Sequence, residues 1–189
     1  MDARTLLDFL KLAERLKCNT RHSCTSSGRP ESVAEHSWRL ALMAYLVSDQ
    51  YPQLDMNRVI KMCLVHDLGE AVTGDIPAFV KTENNERDEA RALHAVVGKL
   101  PEPHRSELAA LFAEMDAQAS EEARLYKALD KIEAVIQHNE ADIATWLPLE
   151  YDLQLTYGVS ECAHTPYMKA LRETVADDTR RKIEENRQD

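Results

Sequence analysis

Residues 66–75 read HDLGEAVTGD. A run of Val, Met, Cys and Leu ends there in His66 and Asp67, with Glu70 and Asp75 close behind. Burying a histidine beside an aspartate is costly unless something satisfies both. Two more residues have the same character. His36 and Asp130 each fall on or next to an apolar helical face. Together His36, His66, Asp67 and Asp130 offer two imidazoles and two carboxylates, a donor set for Mn²⁺, Fe²⁺, Co²⁺, Ni²⁺ or Zn²⁺. Adjacent positions on an ideal helix point about 100° apart, so His66 and Asp67 share an ion only if it lies in the wedge between them. Spacing alone leaves a second reading level with this one, in which the histidines are hydrogen-bonded core residues.

The elements that must position these groups are helical. Asp2 caps a first helix to about Lys17. Residues 18–30, CNTRHSCTSSGRP, read as a long loop of Ser, Thr and Gly. Ser32 and Glu35 form a capping box for a helix to about Gln50, whose Val33, His36, Leu40, Met43 and Val47 share a face. Asp55 caps a third helix, where Val59, Met62, Cys63 and His66 align. It frays at Gly69 and Gly74, and Asp75-Ile-Pro77 is an extended turn. Further helices are expected over residues 84–99 and 104–117. Another runs from the cap Ser120 to about Ala141, with Leu125, Leu129, Ile132 and Ile136 as its stripe and Asp130 beside it. Residues 147–164 read as irregular, and Thr165-Pro166 starts a last helix to about Asn186. No strand signal stands out. Trp38, Trp146, Tyr45, Tyr126 and Tyr151 read as core, His94 and His104 as surface, and the acid runs Glu83–Glu89 and Glu184–Asp189 as solvated faces. His138 and His164 lack partner spacing, and Arg39, next to the His36 turn, reads equally as added positive charge for the site and as a surface or salt-bridging residue.

Bulk numbers set limits. The chain has 189 residues, enough for one domain spanning 1–189. Few Gly and Pro and many Ala, Leu, Glu and basic residues favour an all-α fold. The net charge of −10 argues against a nucleic-acid partner or an anionic membrane. A small polyanion needs a local positive centre instead. Cys18, Cys24, Cys63 and Cys162 form no CxxC pair and read as free thiols. The start, MDARTLLDFL, does not read as a signal peptide, and no apolar stretch reaches the roughly 20 residues that span a bilayer. A cytoplasmic location is expected.

Three segments carry a family resemblance: ESVAEHS, CLVHDLGEAVTGDIPA and KALDKIE. They resemble the HD-domain metal-dependent phosphohydrolases, whose H…HD…D pattern falls here on His36, His66-Asp67 and Asp130. The HDxxE…GD extension is similar to the branch of small 5′-deoxynucleotidases. The likeness covers about residues 5–140. It implies a helical bundle of six or seven helices, a homodimer, and one divalent metal ion in a core of about residues 32–140, with a C-terminal helix at about 165–187. It also implies that Glu70 and Asp75 are catalytic, beside the metal-bound water and substrate. Arg21, fifteen residues before His36, is implied to bind substrate phosphate. The residue after that arginine is commonly a tryptophan that packs by the sugar. His22 takes its place here.

The expected activity is hydrolysis of nucleoside (deoxy) 5′-monophosphates. A metal lowers the pKa of bound water from about 15.7 to near 7. Four protein ligands with open positions favour octahedral Mn²⁺, Co²⁺ or Fe²⁺ over tetrahedral Zn²⁺, with Ni²⁺ and Mg²⁺ as further candidates. Arg21 would grip phosphate oxygens in a bidentate way, and Glu70 or Asp75 would handle the proton. Two alternatives stand beside this. One is another small phosphate ester or a guanosine polyphosphate, against which Ala71 after Glu70 argues, because the enzymes acting on the latter commonly carry two acids there. The other is a non-catalytic regulatory module with a structural metal, which needs no Arg21, Glu70 or Asp75.

Overall fold

In the computed structural model, which describes residues 1–187, ten α-helical segments and one small hairpin follow each other along the chain. Seven of the helices have ten residues or more: α1 (Ala3–Ala13), α2 (Val33–Leu46), α3 (Met56–Val65), α5 (Glu83–Val97), α6 (His104–Ala117), α7 (Glu121–Glu140) and α10 (Pro166–Glu185). The short ones are α4 (Glu70–Thr73), α8 (Glu150–Thr156) and α9 (Val159–Cys162). Gln188 and Asp189, the end of the last acidic run, lie outside the described residues.

The starts of the long helices fall where their caps place them. Asp2, Asp55, Ser120 and Thr165 each accept a backbone N–H of the first turn, and Ser32 and Glu35 close a reciprocal box. Satisfying these otherwise unpaired donors fixes where each helix begins and hence which way every side chain points. The core is built by α2, α3 and α7 packing on one another, with α10 laid against α7. Because α7 has neighbours on several sides, it buries polar Glu133 and Gln137 along with Leu125, Leu129 and Ile132.

Three expectations need correction. The segment 18–30 is an antiparallel hairpin, β1 (Thr20–Cys24) with β2 (Pro30–Ser32), closed through Gly28 at φ 84°. It has no alternating apolar signal because only Ser23 of β1 is buried. Its hold comes from elsewhere: the Gln137 amide donates to Cys24 O at 2.6 Å and the Asn19 amide donates to Glu70 O. Residues 147–164 contain α8 and α9 rather than irregular chain. Remote Arg172 satisfies the end of α8, donating to Gln154 O at 2.8 Å and Tyr157 O at 3.0 Å, a cap that local sequence does not carry. Finally, Trp38 and Tyr45 are each 64% exposed, not core. The buried stripe of α2 is Val33, His36, Ser37, Leu40 and Ala44, which turns Trp38, Leu42, Tyr45 and Leu46 outward. Trp146 and Tyr126 are buried and Tyr151 is half-buried.

Among the described residues no helix is long and apolar enough to cross a membrane. All four cysteines are free.

Candidate metal centre and substrate cleft

His36 enters the site from the first turns of α2, His66 and Asp67 from the end of α3, and Asp130 from the middle of α7. These are the three helices whose mutual packing makes the core, so the four side chains are anchored in packed elements rather than in loops. His36 Nε2 lies 3.3 Å from Asp130 Oδ1 and 4.0 Å from Asp67 Oδ2. His66 Nε2 lies 3.0 Å from Asp67 Oδ2 and 3.7 Å from Asp130 Oδ1. Donors of His36, His66 and Asp67 all fall within 4.8 Å of one another.

The remaining ring nitrogens decide what faces inward. His36 Nδ1 bonds to Glu133, and His66 Nδ1 bonds to Cys63 O at 2.9 Å. A carbonyl oxygen and a carboxylate accept, so both rings donate from Nδ1 and present a bare Nε2 to the centre. Both Nε2 atoms are buried without a hydrogen-bond partner. Orphaned nitrogens beside two carboxylate oxygens fit a divalent cation, and an ion there satisfies all four groups together. Burial pushes the Asp130 carboxyl up, but Lys127 at 2.9 Å and the two imidazoles more than offset it and hold it well below the carboxylate range. Its Oδ1 is left for the centre.

A cleft of about 730 Å³ opens beside these donors. Arg21 stands at its edge, with Nη1 at 3.4 Å from Asp67 and 3.7 Å from Asp75 and Nε at 3.6 Å from Glu31. Lys81, Lys127 and Lys131 line the same cleft, which supplies positive charge inside an acidic protein. Glu70 is buried, and its Oε2 has no partner. Burial, then Asp67 and Asp75, pushes its carboxyl up to about 9 in the metal-free chain, so it keeps a proton at neutral pH. Asp75 reaches the cleft because Gly74 takes φ 76° and ψ 166°, a region that a side chain enters only under strain. Gly69 serves a different need: a Cβ there would sit 3.2 Å from Glu89 O and 3.3 Å from Leu93 Cβ, where α5 crosses the turn.

The structure thus brings Arg21, His36, His66, Asp67, Glu70, Asp75 and Asp130 together. His22 is set apart from them. It lies against Glu150, at 3.3 Å, and against the ring of Phe79. His138, which lacks partner spacing in the sequence, meets the same Glu150 at 2.9 Å, because β1, α7 and the start of α8 converge there. His94, His104 and His164 are exposed. Two supporting acids are absent from the sequence reading. Glu133, fully buried, holds His36 and accepts from Arg39 Nε at 2.6 Å. Glu31, also buried, accepts from Ser23 at 3.0 Å and orients Arg21. The signal for Glu133 was its position in the core of α7, three residues after Asp130.

Comparisons with known proteins agree with this geometry. The sequence profile of a family described as "HD domain" matches residues 13–172. The human protein named 5′-deoxynucleotidase HDDC2 is 39% identical over 142 residues, which cover 73% of this chain and 69% of that one. A crystal structure from Magnetospirillum magnetotacticum, described as a "predicted metal-dependent phosphohydrolase", superposes with a TM-score of 0.79 at 27% identity, covering 95% of this chain and 93% of the other. The cyanophage S-2L HD phosphohydrolase DatZ, solved with dA and one catalytic Zn²⁺, shares the fold at a TM-score of 0.58 and 23% identity, over 93% of this chain and 96% of the other.

Proposed function

The chain belongs to the HD-domain family, and from that premise we propose that it is a metal-dependent phosphohydrolase that cleaves nucleoside 5′-monophosphates, deoxynucleotides among them, to nucleoside and phosphate. One observation carries the reading. Two buried imidazole nitrogens without partners face Asp67 and Asp130 at the wall of a cleft that also presents Arg21. A structural metal needs no such cleft. The curated human relative, named a 5′-deoxynucleotidase, supports the substrate class.

His36, His66, Asp67 and Asp130 hold the cation in this reading. When bound, it supplies Lewis acidity that ionises water near neutral pH and offsets phosphate charge. Arg21, fixed between Asp67, Asp75 and Glu31, binds phosphate oxygens with two parallel N–H donors. Glu70 moves the proton, since its Oε2 is unpartnered while Asp75 is engaged with Arg21. Asp75 keeps Arg21 aimed. Glu133 holds the His36 ring in the tautomer that leaves Nε2 bare. Lys81, Lys127 and Lys131 draw the anionic substrate into the cleft. His22 lines the adjoining cavity, which shares Arg21 with the cleft, and in this reading it borders the substrate on that side. Four protein donors favour an ion of more than four coordination, Mn²⁺, Co²⁺ or Fe²⁺.

The test is phosphate release from deoxy- and ribonucleoside monophosphates by metal-stripped protein refilled with Mn²⁺, Co²⁺, Fe²⁺, Ni²⁺, Mg²⁺ or Zn²⁺. The expected result is release only from refilled protein, with deoxynucleotides among the substrates. No release with any ion, from protein that binds one tightly, overturns the reading in favour of a regulatory module.

The assembly proposed is a homodimer. Trp38, Leu42, Tyr45 and Leu46 fall at i, i+4, i+7 and i+8 on the outer face of α2 and are 39–65% exposed. Such an apolar stripe marks a protein interface. Sedimentation is expected to give twice the 21.5 kDa chain mass, and Trp38→Glu to halve it. A wild-type monomer at micromolar concentration rejects the dimer. Free thiols at all four cysteines support a reducing compartment, the cytoplasm.

A further inference from the structure

Beside the cleft lies a second, smaller cavity of about 80 Å³. It shares Arg21 and Asp75 with the cleft, and its far wall carries His22, His138 and Glu150. None of these three belongs to the donor set of α2, α3 and α7 described above. One donor atom from each of them lies within 4.8 Å of the other two. The three side chains come from β1, α7 and α8, so the convergence is a product of the tertiary fold.

The hydrogen bonds around the triad limit what can sit inside it. His138 Nδ1 lies 2.9 Å from Ala134 O, which can only accept, so the ring donates from Nδ1. Its Nε2 then aims a lone pair at Glu150 Oε1, 2.9 Å away. Glu150 cannot rotate to relieve this, because its Oε2 accepts the Leu147 N–H at 2.7 Å. His22 Nε2 reaches the same Oε1 at 3.3 Å. A neutral His138 therefore leaves acceptor against acceptor around a carboxylate that is 1% exposed. A positive charge between the donors resolves it. Zn–N and Zn–O bonds of about 2.0–2.2 Å at tetrahedral angles put donors about 3.3–3.6 Å apart. The His22–Glu150 spacing of 3.3 Å already matches, and the His138–Glu150 pair, at 2.9 Å, has to open by a few tenths of an ångström to admit the ion.

The surroundings hold the donors in place. Trp146 Nε1 donates to His138 O at 3.1 Å, and its indole packs edge-on to the His138 ring. The Gln137 amide ties Cys24 O to α7, which brings His22 on β1 up to His138. Phe79 stands against the outer side of His22.

We propose that His22, His138 and Glu150 form a second divalent-metal site, of two imidazoles and one carboxylate, at the edge of the substrate cleft. Three protein donors leave the fourth position open toward the cavity, for water or for a hydroxyl or ring nitrogen of a bound small molecule. The site does not depend on the hydrolase reading, because its donors, and the measurement that tests it, involve no turnover.

The measurement is bound zinc per chain, on metal-stripped full-length protein equilibrated with Zn²⁺ and freed of excess. The wild type, Asp67→Ala, His138→Gln and Glu150→Gln are compared, with far-UV circular dichroism to confirm that each variant is folded. Two zinc ions in the wild type, one in Asp67→Ala and one in His138→Gln or Glu150→Gln support the proposal. One ion in the wild type, kept in Asp67→Ala and lost in His138→Gln, also supports it and sinks the α2–α3–α7 centre instead. One ion that only Asp67→Ala removes, or two that survive both His138→Gln and Glu150→Gln, overturns it and leaves the triad bridged by a proton.

Discussion

Replacing Asp67 with alanine lowers kcat/KM for nucleotide hydrolysis by about 10³-fold or more, or about 4 kcal/mol of transition-state stabilisation. It also removes most of the thermal stabilisation that a cation gives the wild-type chain through the α2–α3–α7 centre. Both effects trace to one oxygen. Asp67 Oδ2 lies 3.0 Å from His66 Nε2 and 3.4 Å from Arg21 Nη1, so it stands between the cation site and the phosphate grip. Without it, His36, His66 and Asp130 remain, a set with one anionic donor instead of two. A ligand that binds only the folded chain stabilises it by about 2.7 kcal/mol at a hundred times its Kd. Weaker binding erodes that gain directly. The metal-free variant behaves differently. In the metal-free wild type Asp67 pushes the Glu70 and Asp75 carboxyls upward. Burial pushes its own carboxyl up, but His66, His36 and Arg21 hold it well below the carboxylate range, so its removal trades those attractions for relieved repulsion and desolvation. The expected signature is a melting temperature that scarcely changes without metal and fails to rise with it. Activity within about tenfold of the wild type would mean that Asp67 is no ligand. Lost activity with an undiminished metal-induced rise would place its role in substrate binding.

The sequence carried the donors of this site because each is fixed by local signals. The Ser32–Glu35 box sets the start of α2, which puts His36 on the buried stripe with Leu40 and Ala44. Asp55 does the same for α3 and its closing His66 and Asp67. The groups that a single element does not reveal are those whose partners come from elsewhere. Glu133 has a position in the core of α7, but only the approach of α2 supplies its partners, His36 and Arg39. Glu150 and His138 are unremarkable until β1 arrives with His22. The hairpin escaped for a related reason. Strand signals depend on a buried alternating face, and β1 is pinned by side-chain amides of Asn19 and Gln137 instead. The outward turn of Trp38 follows from a helix with two apolar sides, of which one chain can bury only one.

Arg21→Ala lowers kcat/KM by about 10²–10³-fold, the scale seen when one preorganised donor to a developing anion is lost. Arg21→Lys recovers only part of it, since an ammonium cannot reproduce the planar two-donor fork. The effect is large because Arg21 is already in place: Asp67, Asp75 and Glu31 surround it, and its side chain is 17% exposed. No reorganisation is needed when phosphate arrives. The same contacts give the variant a pH signature in stability. Burial pushes the Asp75 and Glu31 carboxyls up, and the Arg21 guanidinium is the main charge opposing that rise on both. Without it both are raised further above their unfolded values. The folded chain then binds more protons than the unfolded one above the usual carboxylate range, so stability falls as pH rises. Urea denaturation of metal-stripped Arg21→Ala is therefore expected to show a larger deficit against wild type near about pH 7 than near about pH 5. A deficit that shrinks toward neutral pH would mean that Arg21 does not screen these acids. A kcat/KM within about threefold of wild type, with the fold intact, would mean that the phosphate is held by the lysines of the cleft instead.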